Sequence, residues 1–128
     1  MLLDSASLYF RAFYGVPESI TAADGSPVNA VRGLLDFIAR LVSVRAPERL
    51  VACLDADWRP AFRAQAMPSY KAHRLLDPKR NIEQVPSALV AQVPVIFNVL
   101  DALGIARVGV DGFEAVGEQS AVLRQRLR

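Results

Sequence analysis

Residues 50–63 read LVACLDADWRPAFR, and the first half of that stretch decides the fold. Leu50-Val51-Ala52-Cys53-Leu54 is an apolar run of strand length that leads straight into Asp55. The pattern recurs at both ends of the chain. Met1-Leu2-Leu3 leads into Asp4, and Ala106-Arg107-Val108-Gly109-Val110 is followed shortly by Glu114. Segments with helical spacing separate the three runs, so the expected fold is α/β, a parallel sheet flanked by helices. In such a sheet the ligand site lies outside the carboxyl ends of the strands. Asp4, Asp55 and Glu114 are therefore expected to converge in one acidic cleft, a donor set suited to a hard cation such as Mg²⁺. Like charges brought together raise one another's pKa unless a cation neutralises them, so a metal cluster is the natural resolution. Asp57 and Asp111 are nearby alternatives. Asp57 follows Asp55 at strand spacing, and Asp111 reads as a turn residue.

The helices follow from the same reading. Ser5 or Ser7 is placed to cap a short helix through Leu8 to Phe13. Gly15, Pro17, Gly25, Ser26 and Pro27 then mark a turn-rich stretch. Val31, Leu34, Leu35, Ile38, Leu41 and Val42 recur at helical spacing over 28–44, and Pro47 ends that helix. Pro86 opens a further helix that runs to Leu103, with a kink or break expected at Pro94 and closure at Gly104. Residues 114–128 are expected to form a last helix. Residues 58–82 lack clean periodicity and contain Pro60, Pro68 and Pro78, which predicts a mobile loop with short helices.

Composition narrows the class. The chain has 128 residues, 52% of them hydrophobic, which suits one packed domain and argues against disorder. Its one cysteine, Cys53, sits mid-strand and is expected to be a small core residue; an internal disulfide is impossible, which agrees with a cytoplasmic location. No run reaches the length of a membrane helix, and no signal-peptide pattern opens the chain. The formal net charge is +2, unevenly placed. Between Trp58 and Arg80 there are six bases (Arg59, Arg63, Lys71, Arg74, Lys79, Arg80) against Asp77 alone, a local charge of +5; the rest of the chain carries −3. A weakly acidic body with one basic segment predicts a polyanionic partner.

Within that segment, Arg side chains can clamp a phosphate with two hydrogen bonds and Lys supplies a point charge. Tyr70 offers a ring for a terminal base. Next to an acidic metal site, such a cluster suits a scissile phosphate and the charge it gains in the transition state. His73, the sole histidine, has no histidine or cysteine partner at ligand spacing and reads as a polar surface residue. There is no glycine-rich phosphate loop, and no Ser/His/Asp set can be assembled.

Four stretches in order, LLDSASLYFRAFYG (2–15), DGSPVNAVRGLLDFIARL (24–41), LVACLDADWRPAFR (50–63) and MPSYKAHR (67–74), resemble bacterial 5′–3′ exonucleases. That family includes the N-terminal nuclease domain of DNA polymerase I and is related to flap endonucleases. The resemblance runs from residue 1 to about residue 115. It implies a PIN-like, resolvase-like parallel sheet over residues 1–115, with a helical arch formed by about residues 58–82, and hydrolysis of DNA at 5′ ends, flaps or primers with Mg²⁺ or Mn²⁺. It implies metal ligation by Asp4, Asp55 and Glu114. It also implies DNA contact by Arg11, Arg63 and Tyr70, with Lys71 and Arg74 at the scissile phosphate as the catalytic bases of the arch. Gly33 matches a glycine of the helix whose start abuts duplex DNA. No small-molecule cofactor and no membrane partner are implied; the expected location is the bacterial cytoplasm, with the nucleoid.

The departure from the family comes after the third strand. The family reads Gly, an aromatic, then Glu-Ala-Asp-Asp, whereas this chain reads Gly112-Phe113-Glu114-Ala115-Val116-Gly117. Glu114 is kept and both aspartates are replaced. The tail, 116–128, no longer resembles the family, and the chain is expected to be incomplete at its C-terminus, the pattern a frameshift would give. Only Met1-Leu2-Leu3 precede Asp4, so the first strand is also expected to be clipped. The expectation is a metal-dependent 5′–3′ exodeoxyribonuclease by ancestry with impaired activity in this chain. The alternatives are an inactive DNA-binding fragment and a poorly folded remnant. A small toxin-type ribonuclease shares the acidic cleft but lacks the SYKAHR motif.

Overall fold

The structure, a computed structural model, describes residues 1–77, 79, 82–83 and 85–115. Strand β1 (Leu2–Asp4) runs into helix α1 (Ser5–Gly15), and α2 (Asn29–Arg45) leads to β2 (Val51–Cys53). Helix α3 (Ala61–Ala66) and a 3₁₀ turn (Ala72–Arg74) follow. After them come β3 (Leu75–Asp77), β4 (Ile82–Glu83), α4 (Ser87–Ala102) and β5 (Ala106–Val108). The main sheet is parallel in the order β1-β2-β5, with Leu3 beside Ala52 and Ala52 beside Arg107. β3 and β4 form a separate antiparallel pair that the spacing did not suggest. Leu3, Ala52, Phe13, Leu34, Ile38, Leu89, Ile96 and Leu100 make the core between sheet and helices, and Cys53 is buried as expected.

Each helix is set by local chemistry. The cap of α1 is Asp4 rather than Ser5 or Ser7: its Oδ1 accepts from the Ser7 N–H at 3.0 Å and its Oδ2 from the Ser7 hydroxyl at 2.8 Å. An ionised carboxylate at a helix N-terminus also meets the positive end of the helix dipole, so it caps better than a hydroxyl one residue inside. Helix α2 ends at Ala46 in the left-handed conformation (φ 40°), and Pro47 follows. Helix α4 is unbroken through Pro94, against the expected break. Leu89 on one side of the proline and Ile96 and Leu100 on the other bury into the same core, which offsets the lost N–H at residue 94. Gly104 (φ 69°) then turns the chain into β5.

Gly33 is turned into the core, where a Cβ would lie 2.6 Å from the Ala12 Cβ, so α1 and α2 approach closely only because residue 33 has no side chain. The expected final helix over 114–128 lies outside the described residues from 116 onward, as do the divergent tail, Pro78 and Arg80.

A buried polar knot ties three helices together. Helix α2 has no side-chain cap of its own. Gln92 of α4 takes that role: its Oε1 accepts from the Ala30 N–H at 2.8 Å and the Val31 N–H at 3.3 Å. Its Nε2 donates to Asn29 Oδ1 at 2.9 Å and to the Ala88 carbonyl at 3.0 Å. Asn29 Nδ2 donates onward to the Phe13 and Val16 carbonyls at the end of α1, at 2.9 and 3.0 Å. Asn29 and Gln92 are 0% and 1% exposed, so water cannot replace a lost partner. Gln92→Leu orphans two backbone N–H groups and the Asn29 Oδ1 acceptor; thermal or urea denaturation should show a loss of roughly 3 kcal/mol.

Candidate active site

The parallel register places the ends of all three strands on one side of the sheet. Asp4 is the last residue of β1, Asp55 lies two residues past β2, and Glu114 lies six past β5. The loops that carry the last two are stitched to each other. The Leu54 N–H donates to the Val108 carbonyl at 2.9 Å, and the Asp57 N–H to the Phe113 carbonyl at 3.0 Å. The Ala115 N–H donates to Asp55 Oδ1 at 2.7 Å. Gly112, at φ 79°, supplies the left-handed corner that brings Glu114 back toward Asp55.

Asp4, Asp55 and Glu114 line one open cavity of about 720 Å³, together with Arg11, Lys71 and Arg74. Ser7 and Phe10 complete the α1 wall. Of the residues singled out in the sequence, Arg63 and Tyr70 contact Glu114 and are not among the lining residues. Asp57 turns away and accepts from the Arg59 N–H at 3.1 Å, while Asp111 sits in a turn as expected. His73 is exposed on the 3₁₀ turn.

Glu114 is 5% exposed and held from three sides. Lys71 Nζ lies 2.7 Å from Oε2, Arg63 Nη1 lies 3.2 Å from Oε1, and the Tyr70 hydroxyl donates to Oε1 at 2.6 Å. Lys71 also donates to the Trp58 carbonyl at 2.7 Å. To reach both acceptors its backbone takes the left-handed conformation (φ 51°), uncommon for a residue with a side chain. Arg59 braces the same segment by donating to the Tyr70 carbonyl at 2.7 Å and to the Pro68 carbonyl at 2.9 Å. The Arg74 guanidinium lies over the Phe10 ring at 5.3 Å and the Trp58 ring at 5.8 Å. Sequence reading missed the parts played by Trp58, Arg59 and Phe10. Their partners lie far along the chain or are backbone carbonyls, which leave no spacing signal.

The carboxyl groups respond oppositely to this setting. Burial, with the fields of Asp4 and Glu114, pushes Asp55 above the usual aspartate range against the Ala115 hydrogen bond and the Lys71 charge. Burial also pushes Glu114 up, but the hydrogen bonds from Lys71 and Tyr70 and the charges of Lys71 and Arg63 outweigh it and hold that group below its ordinary value. The donor set is all carboxylate oxygen, the class that Mg²⁺ and Mn²⁺ prefer. Among the described residues, however, no three acids, histidines or cysteines stand at the mutual spacing that grips an ion. The chemistry of the set fits a divalent cation, and each Glu114 oxygen already accepts from a side chain of the chain, Oε2 from Lys71 and Oε1 from Arg63 and Tyr70.

The model of the 5′–3′ exonuclease N-terminal resolvase-like domain matches residues 1–116. The chain belongs to the 5′–3′ exonuclease family. It is 65% identical over 118 residues to a 5′-3′ exonuclease of Streptomyces coelicolor, a match that covers 90% of this chain and 39% of the relative. A 5′-3′ exonuclease of Mycobacterium tuberculosis is 55% identical over 119 residues, with 90% and 37% covered. DNA polymerase I of the same species is 38% identical over 116 residues, 90% of this chain and 12% of the polymerase. The chain thus spans about two fifths of the length of the exonuclease relatives it matches. The parallel sheet agrees with the resolvase-like fold of this exonuclease family. No helix among the described residues is long and apolar enough to cross a membrane.

Two outcomes follow from the carboxyl environments. Asp55→Asn keeps an acceptor for the Ala115 N–H and removes a charge that burial disfavours. In EDTA it should raise Tm at pH 7. The gain should vanish as pH falls below the unfolded aspartate pKa, where both states are protonated, because a raised folded pKa penalises the fold only above that point. Glu114→Gln removes the anion that anchors Lys71 and Arg63, and limited proteolysis should then cut faster within residues 58–74. In the unaltered chain that protection should persist above the usual glutamate range and be lost as pH falls through the depressed Glu114 value.

Proposed function

We propose that this domain is built to hydrolyse phosphodiester bonds of DNA at a 5′ end or 5′ flap, with Mg²⁺ or Mn²⁺ held by Asp4, Asp55 and Glu114. The observation that supports this reading best is the cavity itself, where three acids from three strand ends face Lys71, Arg74 and Arg11. A bound divalent cation supplies positive charge to the reacting phosphate and activates water. The chain's own residues do the rest. The Arg74 guanidinium lies over the Phe10 and Trp58 rings at the cavity wall, and its planar shape matches that of phosphate oxygens. Lys71 has three N–H donors, and Trp58 and Glu114 accept two of them. The third is left for a phosphate oxygen. Arg11 adds charge on the α1 side, and Arg63 and Tyr70 position the arch through Glu114. DNA is the partner in this reading.

The same reading makes the activity of these 128 residues impaired. Residues 116 and 117 are Val and Gly, whose side chains carry no carboxylate for a second ion where the family pattern has two aspartates. Losing one ion's charge costs several kcal/mol of barrier. The two cations and the hydroxyl converging on Glu114 favour, as the second reading, a domain that binds DNA without cutting it.

The test is cleavage of a 5′-flap DNA in Mg²⁺ and in Mn²⁺, beside Asp55→Ala and the double variant Val116→Asp, Gly117→Asp. The unaltered chain should cut at least about 100-fold more slowly than the double variant, and Asp55→Ala should abolish what remains. Equal rates for chain and double variant would overturn the impairment. Salt-sensitive DNA binding with no cutting by either would establish the second reading.

A further inference from the structure

We infer that a second cavity beside the acidic one takes a single unpaired nucleoside unit of a strand whose next phosphate lies at Lys71 and Arg74; the inference rests on the nucleic-acid reading above and assigns it a subsite. This cavity, about 310 Å³, is lined by Tyr14, His73, Arg74, Val85 and Pro86. Tyr14 and Arg74 line both cavities, so the two are contiguous. Its volume is at the small end for a ligand pocket and suits one nucleotide rather than a base pair.

The chemistry of the wall matches the parts of a nucleotide. Tyr14 is 71% exposed, yet its ring is set edge-on to the buried Phe13 ring at 5.2 Å and 84°. An aromatic face held open to solvent by a core neighbour is a ready platform for stacking, which every base can use. Val85 and Pro86 supply an apolar side opposite the polar groups. His73 and Arg74 provide donors for sugar or phosphate oxygens, and none of the described lining residues is acidic. Tyr70, the aromatic expected from sequence to stack a base, has its hydroxyl committed to Glu114 and its ring between Arg63 and Lys71 at 5.7 and 5.5 Å. Tyr14 has no such engagement at its hydroxyl among the hydrogen bonds described.

The test uses 5′-phosphorylated single-stranded oligonucleotides carrying 2-aminopurine at successive positions from the 5′ end, titrated with the chain in EDTA and in Mg²⁺. Binding is followed by anisotropy of a distal dye and stacking by 2-aminopurine quenching. One position should be quenched on binding. Tyr14→Leu should abolish that quenching and weaken binding about tenfold without changing the salt dependence, because it removes stacking and no charge. Tyr14→Trp should keep both, which excludes misfolding as the cause. Binding with no quenched position, or quenching that survives Tyr14→Leu, overturns the subsite and leaves the nuclease reading standing. No binding in either buffer overturns both.

Discussion

Carboxylates gathered at the ends of parallel strands repel each other, and in a half-buried cleft that repulsion is stronger than in water. Everything around this site answers that constraint. Asp4 places its charge at the positive end of α1 and is held there by Ser7. Asp55 takes the Ala115 N–H, yet burial still disfavours its ionised form. Glu114, the most enclosed of the three, is the one that Lys71 and Arg63 neutralise directly. The basic segment is therefore a structural counter-charge to the acids. It lies over the acids because they need a cation, and the cations at hand belong to the chain.

The site depends on the helices behind it through Gln92 and Asn29. Asp4 and Arg11 reach the cavity from α1, and α1 is held at its far end by the Asn29 amide. Asn29 is held in turn by Gln92 from α4, sixty-three residues away in sequence. Together with the close contact at Gly33 and Ala12, this fixes α1 against α2 without any charged group. The acidic wall is thus positioned by a neutral, fully buried network that is insensitive to the titrations at the cavity.

What was legible in the sequence was whatever is written locally. The strands showed as apolar runs ending in acids, α2 as a spaced apolar face, and the turn before Glu114 through Asp111. The resemblance added the basic residues of the arch, and the structure brings Lys71 and Arg74 to the acids. What did not show is whatever is made by partners distant in the chain. Nothing near Gln92 announces that it caps α2, and nothing near Tyr70 announces that its hydroxyl meets Glu114 forty-four residues on. The cap of α1 was misplaced because the serines looked like caps, when the aspartate already assigned to the cleft performs both roles. Pro94 looked like a break because local backbone cost is visible in sequence and the burial of Ile96 and Leu100 that offsets it is not.

The dual duty of Asp4 and Lys71 bears on how such a site evolves. Asp4 caps the first helix, so replacing it removes a cavity acid and loosens the helix that carries Arg11. Lys71 neutralises Glu114 and holds the Trp58 carbonyl, so replacing it uncovers a buried charge and frees the segment that carries Arg74. A fold organised this way retains these residues even if hydrolysis is lost, because removing either leaves a buried or helix-terminal group without its partner.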